Sequence, residues 1–322
     1  MEGLVTSKYS DGIFDVSPTH GFLPIKDPMA KLSDKYHQLQ FILDSMPINI
    51  NNSIKGMLHH PSEIQVCIQT SLTNYIEEIK SETDPFVIQA LYRAYTFLAS
   101  AFLLEPAYQT FCQTGVYGKA LNNLPSNVSV PLFYLSKKLD VNPYQDYHYS
   151  YALGNYVKID PSKGLEWTNL KLAVSYSGTS DEVGFIMTHV DINSFGKYLI
   201  ESIHTVLHEV RNPSHTSNSG IIKGLRQCYD TMITINTRRM EMWKASSYKN
   251  YNNFRIFIMG SKDNEEIFGN GVVYEGISTE PLVFRGQTGA QDDIIPTVDI
   301  FTQLIKYYPD NVLTKYLMNY SS

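Results

Sequence analysis

The 322 residues carry 26 Lys and Arg against 32 Asp and Glu, a net charge of -6, with 43% hydrophobic and 12% aromatic residues. That balance suits a folded chain of one large or two modest domains and excludes whole-chain disorder. It also argues against non-specific nucleic-acid binding, which needs clustered Lys and Arg, and the densest basic spot, Arg238-Arg239, reads as a solvated helix face.

Residues 1–9 lack a basic-then-apolar leader layout, and the longest apolar runs, such as 97–104, are short for a bilayer. The expectation is a cytoplasmic protein with no membrane partner. Cys67, Cys112 and Cys228 are odd in number, widely spaced and without a CxxC pair, the pattern of reduced thiols.

Helical signals dominate along the chain. Asp27-Pro28 and Asp84-Pro85 each set an N-cap acceptor before a proline at the first helical position, so a helix is predicted to begin at each. The first keeps Leu32, Tyr36, Leu39, Ile42 and Leu43 on one stripe and stops at Met46-Pro47; the second is apolar nearly all round, hence buried, and stops at Glu105-Pro106. Between them, 62–79 reads as one amphipathic helix with a Ser cap. Prolines then punctuate short helices at 130–139 and 144–156, and 157–169 reads as an exposed connection.

The domain boundary is placed there, giving 1–165 and 166–322. Residues 181–210 have no proline and predict one long helix, with 221–245 a second after a break at 211–219. Residues 269–289 look like a loop or short hairpin, and 294–320 returns to helix with an interruption at Pro309. The class is mostly α.

No Walker loop, GxSxG, HExxH or post-strand GxGxxG is present, so the common phosphate, hydrolase and zincin mechanisms have no foothold. His204 and His208 have the i, i+4 spacing that can share a metal, but a polar helix face is the simpler reading, as a loop pair is for His59-His60. Periodicity sets His189 on the face of Phe185 and Ile192, where an imidazole is either a satisfied core residue or a functional one. His148 lies in the aromatic run Tyr144, Tyr147, Tyr149, Tyr151. Arg255, flanked by Phe254, Ile256, Phe257 and Ile258, needs a carboxylate partner from either the protein or a ligand.

Taken in order, several segments resemble the indoleamine 2,3-dioxygenase family of haem enzymes. They are Ser17-Pro18-Thr19-His20-Gly21-Phe22-Leu23-Pro24, Leu91-Tyr92-Arg93-Ala94-Tyr95, the expected helix carrying Asn155, the segment 176–185, Phe254-Arg255-Ile256-Phe257 with Gly260, Val272-Val273-Tyr274-Glu275-Gly276, and Phe284-Arg285-Gly286-Gln287-Thr288-Gly289-Ala290-Gln291. The resemblance implies two helical domains, small and large, with haem and a pocket between them. It implies a reaction in which dioxygen is inserted across the indole C2–C3 bond of tryptophan or a related aromatic amino acid.

By position, the resemblance makes Arg255 the partner of the substrate carboxylate and Phe185 an aromatic of the distal pocket. Tyr151 and His148 fall on the helix lining the indole pocket. Gly286, Thr288 and Gly289 belong to the glycine-rich loop that closes over substrate and a haem propionate. His189 falls where many members carry a small hydroxyl residue, and an imidazole there could accept an indole N–H or steer dioxygen.

The family's proximal histidine is expected after that loop, yet every histidine here lies at or before His215. The chain reads as running from Val298-Asp299-Ile300 almost directly into Lys306-Tyr307-Tyr308-Pro309, as if the ligand-bearing segment were deleted. Three expectations follow from that departure. Haem is held by Tyr307 or Tyr308; or His189 with His148 holds non-haem iron in the same pocket; or the fold persists as a non-catalytic binding protein.

Overall fold

In the computed structural model, which describes residues 12–51, 54–212, 218–312 and 314–315, the chain is mostly α-helical, as the sequence implies. The helices run α1 (His37–Ser45), α2 (Glu63–Ser71), α3 (Ile76–Ser81), α4 (Pro85–Thr114), α5 (Ser126–Leu139), α6 (Ser180–Asn193), α7 (Gly196–Arg211), α8 (Ser219–Arg239), α9 (Met242–Ala245), α10 (Asn252–Arg255), α11 (Glu265–Phe268) and α12 (Ile294–Thr302). Strands are brief: β1 (Asn123–Leu124) pairs parallel with β4 (Val273–Tyr274), and β2 (Tyr156–Lys158) antiparallel with β3 (Leu170–Leu172).

Helix α4 begins where Asp84 and Pro85 predict, the Asp84 carboxylate accepting the Phe86 N–H at 2.8 Å. It does not stop at Pro106 but continues to Thr114. Proline removes the N–H that the Phe102 carbonyl would accept. Gln65 Nε2, from α2, supplies that hydrogen bond at 2.9 Å and reaches Glu105 Oε2 at 3.0 Å. By length and composition α4 could cross a membrane, but its most apolar window is 94% buried inside the protein, which makes it a core helix.

Other boundaries move for tertiary reasons. No helix starts at Asp27-Pro28; the Asp27 carboxylate is engaged by Tyr156 Oη at 2.9 Å and Lys158 at 3.0 Å, and helix begins only at 34–37. The single helix expected over 62–79 is two, because Asn127 Nδ2 takes up the Ile68 carbonyl at 2.9 Å and closes α2. Ser62 sits at φ +62° and does not cap it. The 181–210 helix divides into α6 and α7, where Ser194 Oγ bonds back to the Asp191 carbonyl at 2.6 Å. Gly196 then opens α7 against the Phe22 ring, 2.9 Å from where a Cβ would stand.

Likewise 221–245 divides into α8 and α9, and α12 ends at Thr302, before Pro309, with residues 316–322 outside the described region. Arg238 is not a solvated face: it forms a two-pronged ion pair with the buried Asp191 of α6. In place of a helix over 144–156, residues Tyr147–Tyr151 form one π-helical turn that leads into β2.

One aromatic column organises the core around α4. Phe97 of α4 stacks on Tyr176 at 4.5 Å between ring centres, Tyr176 on Phe257 at 4.9 Å, and Tyr151 lies on the other side of Phe97 at 6.2 Å. These rings fix the π-helical turn, the entry to α6 and the segment after α10 relative to one another. A smaller apolar cluster joins Phe22, Ile192, Leu199, Ile203, Cys228, Ile235 and Ile294.

Candidate functional site

Helix α6 is anchored by a buried carboxylate in its first turn. Glu182 accepts the Tyr176 and Ser177 backbone N–H groups at 2.9 and 2.7 Å and the Ser177 hydroxyl at 2.7 Å. One turn apart on its inner face stand Phe185 and His189, their rings edge to face at 5.5 Å, as their spacing predicts. Phe185 also meets Phe254 at 5.6 Å and Tyr251 at 5.2 Å. His189 is half-buried, and burial holds its pKa below the ordinary value although the charge of Asp292 pulls the other way.

Arg255 closes α10, and its Nη1 is buried with no hydrogen-bond partner among the described residues. It lines a cavity of about 290 Å³ with Ile258, Met259, Gly286, Gln287 and Thr288, and Gln287 Oε1 is likewise buried and unpaired. Such a volume sits at the lower end for small-molecule sites. Gly286 has a structural task here: a Cβ on it, or on Gly260, would run into the other's backbone nitrogen. That contact presses the glycine-rich loop onto the Arg255 segment, and Tyr144 Oη adds a bond to the Met259 carbonyl at 2.6 Å.

The expected residues fall into two adjoining groups. Arg255, Gly286 and Thr288 share the cavity wall; Phe185, His189, Tyr151 and His148 do not line it. The groups meet at two places: Phe254 beside Arg255 touches Phe185, and Gly289 beside Thr288 abuts His189, whose Cε1 would lie 3.3 Å from a Cβ at Gly289. The Tyr151 hydroxyl is buried and unpaired, and burial, then the Glu182 charge, hold its pKa well above the ordinary phenol.

Sequence reasoning missed the residues that tie the loop down. After Thr288 makes a capping box with Gln291, Asp292 accepts the Tyr147 hydroxyl and Asn193 Nδ2, each at 2.6 Å. Asp293 Oδ2 lies 2.8 Å from His148 Nε2. Two adjacent carboxylates thus grip two adjacent residues of the π-helical turn. The available signal was the Asp292-Asp293 pair directly after the glycine-rich run.

Iron ligation does not come together as expected. His148 and His189 both pack edge-on against Tyr147, at 5.2 and 5.6 Å, but turn to different partners, Asp293 and Tyr147. Among the described residues no group of three or more His, Cys, Asp or Glu side chains is arranged to hold a metal. Tyr307 is 80% exposed, and the Tyr308 hydroxyl is bonded to Asp299 on the surface. The ring contacts of His189 among the described residues are with Phe185 and Tyr147, not with either tyrosine, and the described residues after Thr288 contain no histidine. Among the described residues, therefore, neither Tyr307, Tyr308 nor the His189 and His148 pair is arranged as the expected iron ligand at this site.

A model of the indoleamine 2,3-dioxygenase family matches residues 11–314. The chain is similar to indoleamine 2,3-dioxygenase 2 of Mus musculus, 24% identical over 290 residues that cover 90% of this chain and 65% of that protein. It is similar to indoleamine 2,3-dioxygenase nanC of Aspergillus nanangensis, 25% identical over 302 residues, 89% of this chain and 66% of the relative. A 6-hydroxytryptophan 2,3-dioxygenase, fscD of Fusarium equiseti, is 27% identical over 297 residues, 89% of this chain and 65% of the relative. The chain spans about two thirds of the length of the curated relatives it matches.

Proposed function

Because the chain belongs to the indoleamine 2,3-dioxygenase family, whose members are haem enzymes, we propose that it is a dioxygenase of tryptophan-class aromatic amino acids that holds its substrate by the carboxylate on Arg255. The reaction adds both atoms of dioxygen across the indole C2–C3 bond. The supporting observation is the buried Arg255 Nη1 without a partner among the described residues, on the wall of a cavity. A buried charged donor left unpaired is costly, and a ligand carboxylate relieves that cost with a charge-assisted bond.

In this reading Phe185 packs on the indole, with Tyr251 and Phe254 behind it. His189 takes the ring N–H, Tyr151 bounds the pocket at the aromatic column, and Thr288 and Gly289 cover the amino-acid end. His148 acts indirectly, by holding Asp293 and so the loop. These side chains position the ring and keep water from it, the part of catalysis that geometry supplies.

A second reading, an aromatic amino-acid binding protein without turnover, is favoured by the donor set, which offers no axial ligand among the described residues. One incubation separates the two: protein, L-tryptophan, haem, a reductant and ¹⁸O₂, followed by mass spectrometry. A product carrying two ¹⁸O atoms supports the dioxygenase. Arg255-dependent binding with no such product supports the second reading, and absence of both overturns the site.

A further inference from the structure

Tyr147 has one hydroxyl proton, and its surroundings fix where that proton goes. The hydroxyl lies 2.6 Å from Asp292 Oδ2. The same oxygen takes an Asn193 Nδ2 proton at 2.6 Å, and Oδ1 takes the Ile294 backbone N–H at 2.9 Å. Three donors converging on one carboxylate leave it as acceptor only. Tyr147 therefore donates to Asp292, and its oxygen is left to accept.

The neighbour that can supply the proton is His189, whose Nδ1 is 3.4 Å from Tyr147 Oη. Asn193 Nδ2 is also 3.3 Å from that oxygen, but its two protons point at Asp292 and at the His189 carbonyl, 2.9 Å away. No described residue hydrogen-bonds His189 Nε2. The ring carbon between the two nitrogens, Cε1, faces Gly289.

We infer that Asp292, acting through Tyr147, is a positioning residue that holds His189 in the tautomer protonated at Nδ1, so that Nε2 is presented bare as the acceptor for the ring N–H of an indole-type ligand. A neutral imidazole has one donor and one acceptor nitrogen, so fixing the first fixes the second. Burial lowers the His189 pKa against the pull of the Asp292 charge and so favours the neutral ring. Asp292 directly follows the 289–291 turn, so displacing the loop frees the Tyr147 proton and loosens the tautomer. The ligand assignment rests on the dioxygenase-family reading above; the tautomer does not.

Two measurements test this. ¹⁵N-histidine NMR of the ligand-free protein, with the His189 signal identified by its loss in His189→Gln, is expected to show a protonated Nδ1 and a bare Nε2. Tyr147→Phe, which removes the acceptor oxygen, is expected to give a mixed or reversed tautomer. A wild-type His189 protonated at Nε2, or unmoved by Tyr147→Phe, overturns the inference.

The second measurement compares L-tryptophan with 3-benzothienylalanine, in which sulfur replaces the ring N–H. Wild type is expected to prefer tryptophan by about tenfold, the scale of one buried hydrogen bond. Tyr147→Phe and Asp292→Asn are expected to bind the two equally. Equal binding by wild type, with dependence on Arg255 intact, sinks the acceptor role while leaving the functional reading standing. Loss of Arg255 dependence sinks the reading itself, and the NMR result then decides the tautomer alone.

Discussion

His148 Nε2 lies 2.8 Å from Asp293 Oδ2 and so ties the π-helical turn to the loop that carries Thr288. Burial works against charging the ring, but the Asp293 bond and charge, with Asp146 and Asp292, raise its pKa above the ordinary value. A histidine raised on folding contributes stability that is full below its unfolded pKa of about 6.5 and lost as pH rises through the folded value. The pair is partly exposed, 26% for His148 and 47% for Asp293, so its contribution is modest, about 0.5–1 kcal/mol. The thermal midpoint of His148→Gln is expected to fall below wild type in mildly acidic, low-salt buffer and to converge with it in alkaline buffer. A pH-independent gap would contradict the ion pair.

Gly260 and Gly286 meet backbone to backbone, with no room for a methyl group on either. Gly286→Ala is expected to destabilise the fold by about 1–3 kcal/mol, the scale of overpacking, and to loosen the loop over Arg255. Gly269, where an added Cβ meets nothing, serves as a contrast, although its φ of +58° makes alanine strained there too. Urea unfolding of the two variants should show the larger loss at Gly286. Equal losses would mean that the close approach matters less than the backbone angle.

Gln65 completes the hydrogen bonding that Pro106 interrupts in α4. Gln65→Ala should cost about 1–3 kcal/mol, because it leaves the buried Phe102 carbonyl unpaired. Pro106→Ala restores an N–H to the helix, so the same Gln65 substitution should cost less in that background. A double-mutant cycle with no coupling would show that Gln65 does not serve the broken rung.

The exposure of Tyr307 and the surface pairing of Tyr308 with Asp299 give both phenols a place away from any buried iron. Whatever absorption added haem acquires on this chain should be identical in the Tyr307→Phe, Tyr308→Phe double variant. A Soret band changed only in that variant would restore tyrosine as a ligand.

Local signals were legible where local chemistry decides the outcome. Asp84-Pro85 marked the start of α4, and the four-residue step from Phe185 to His189 placed both on one face of α6. What stayed hidden depends on residues far apart in the chain. Gln65 sits 37 positions before the carbonyl it rescues, and Asp292 is 145 positions from Tyr147. Arg238 read as solvated because its partner Asp191 lies 47 positions away on another helix. Arg255 was legible as a charge needing a carboxylate, but only the packed structure shows that none of the described residues supplies a partner to its buried Nη1.

Arg255 is the centre of the account, and calorimetric binding of L-tryptophan and of tryptamine, which lacks the carboxylate, tests it most directly. Wild type is expected to bind tryptophan tenfold or more tightly than tryptamine, about 1.4 kcal/mol or more. Arg255→Ala should lose about 2 kcal/mol or more of tryptophan affinity and leave tryptamine unchanged. Equal affinities in wild type, or an Arg255→Ala protein that binds tryptophan as wild type does, would contradict the assignment of Arg255 as the carboxylate partner.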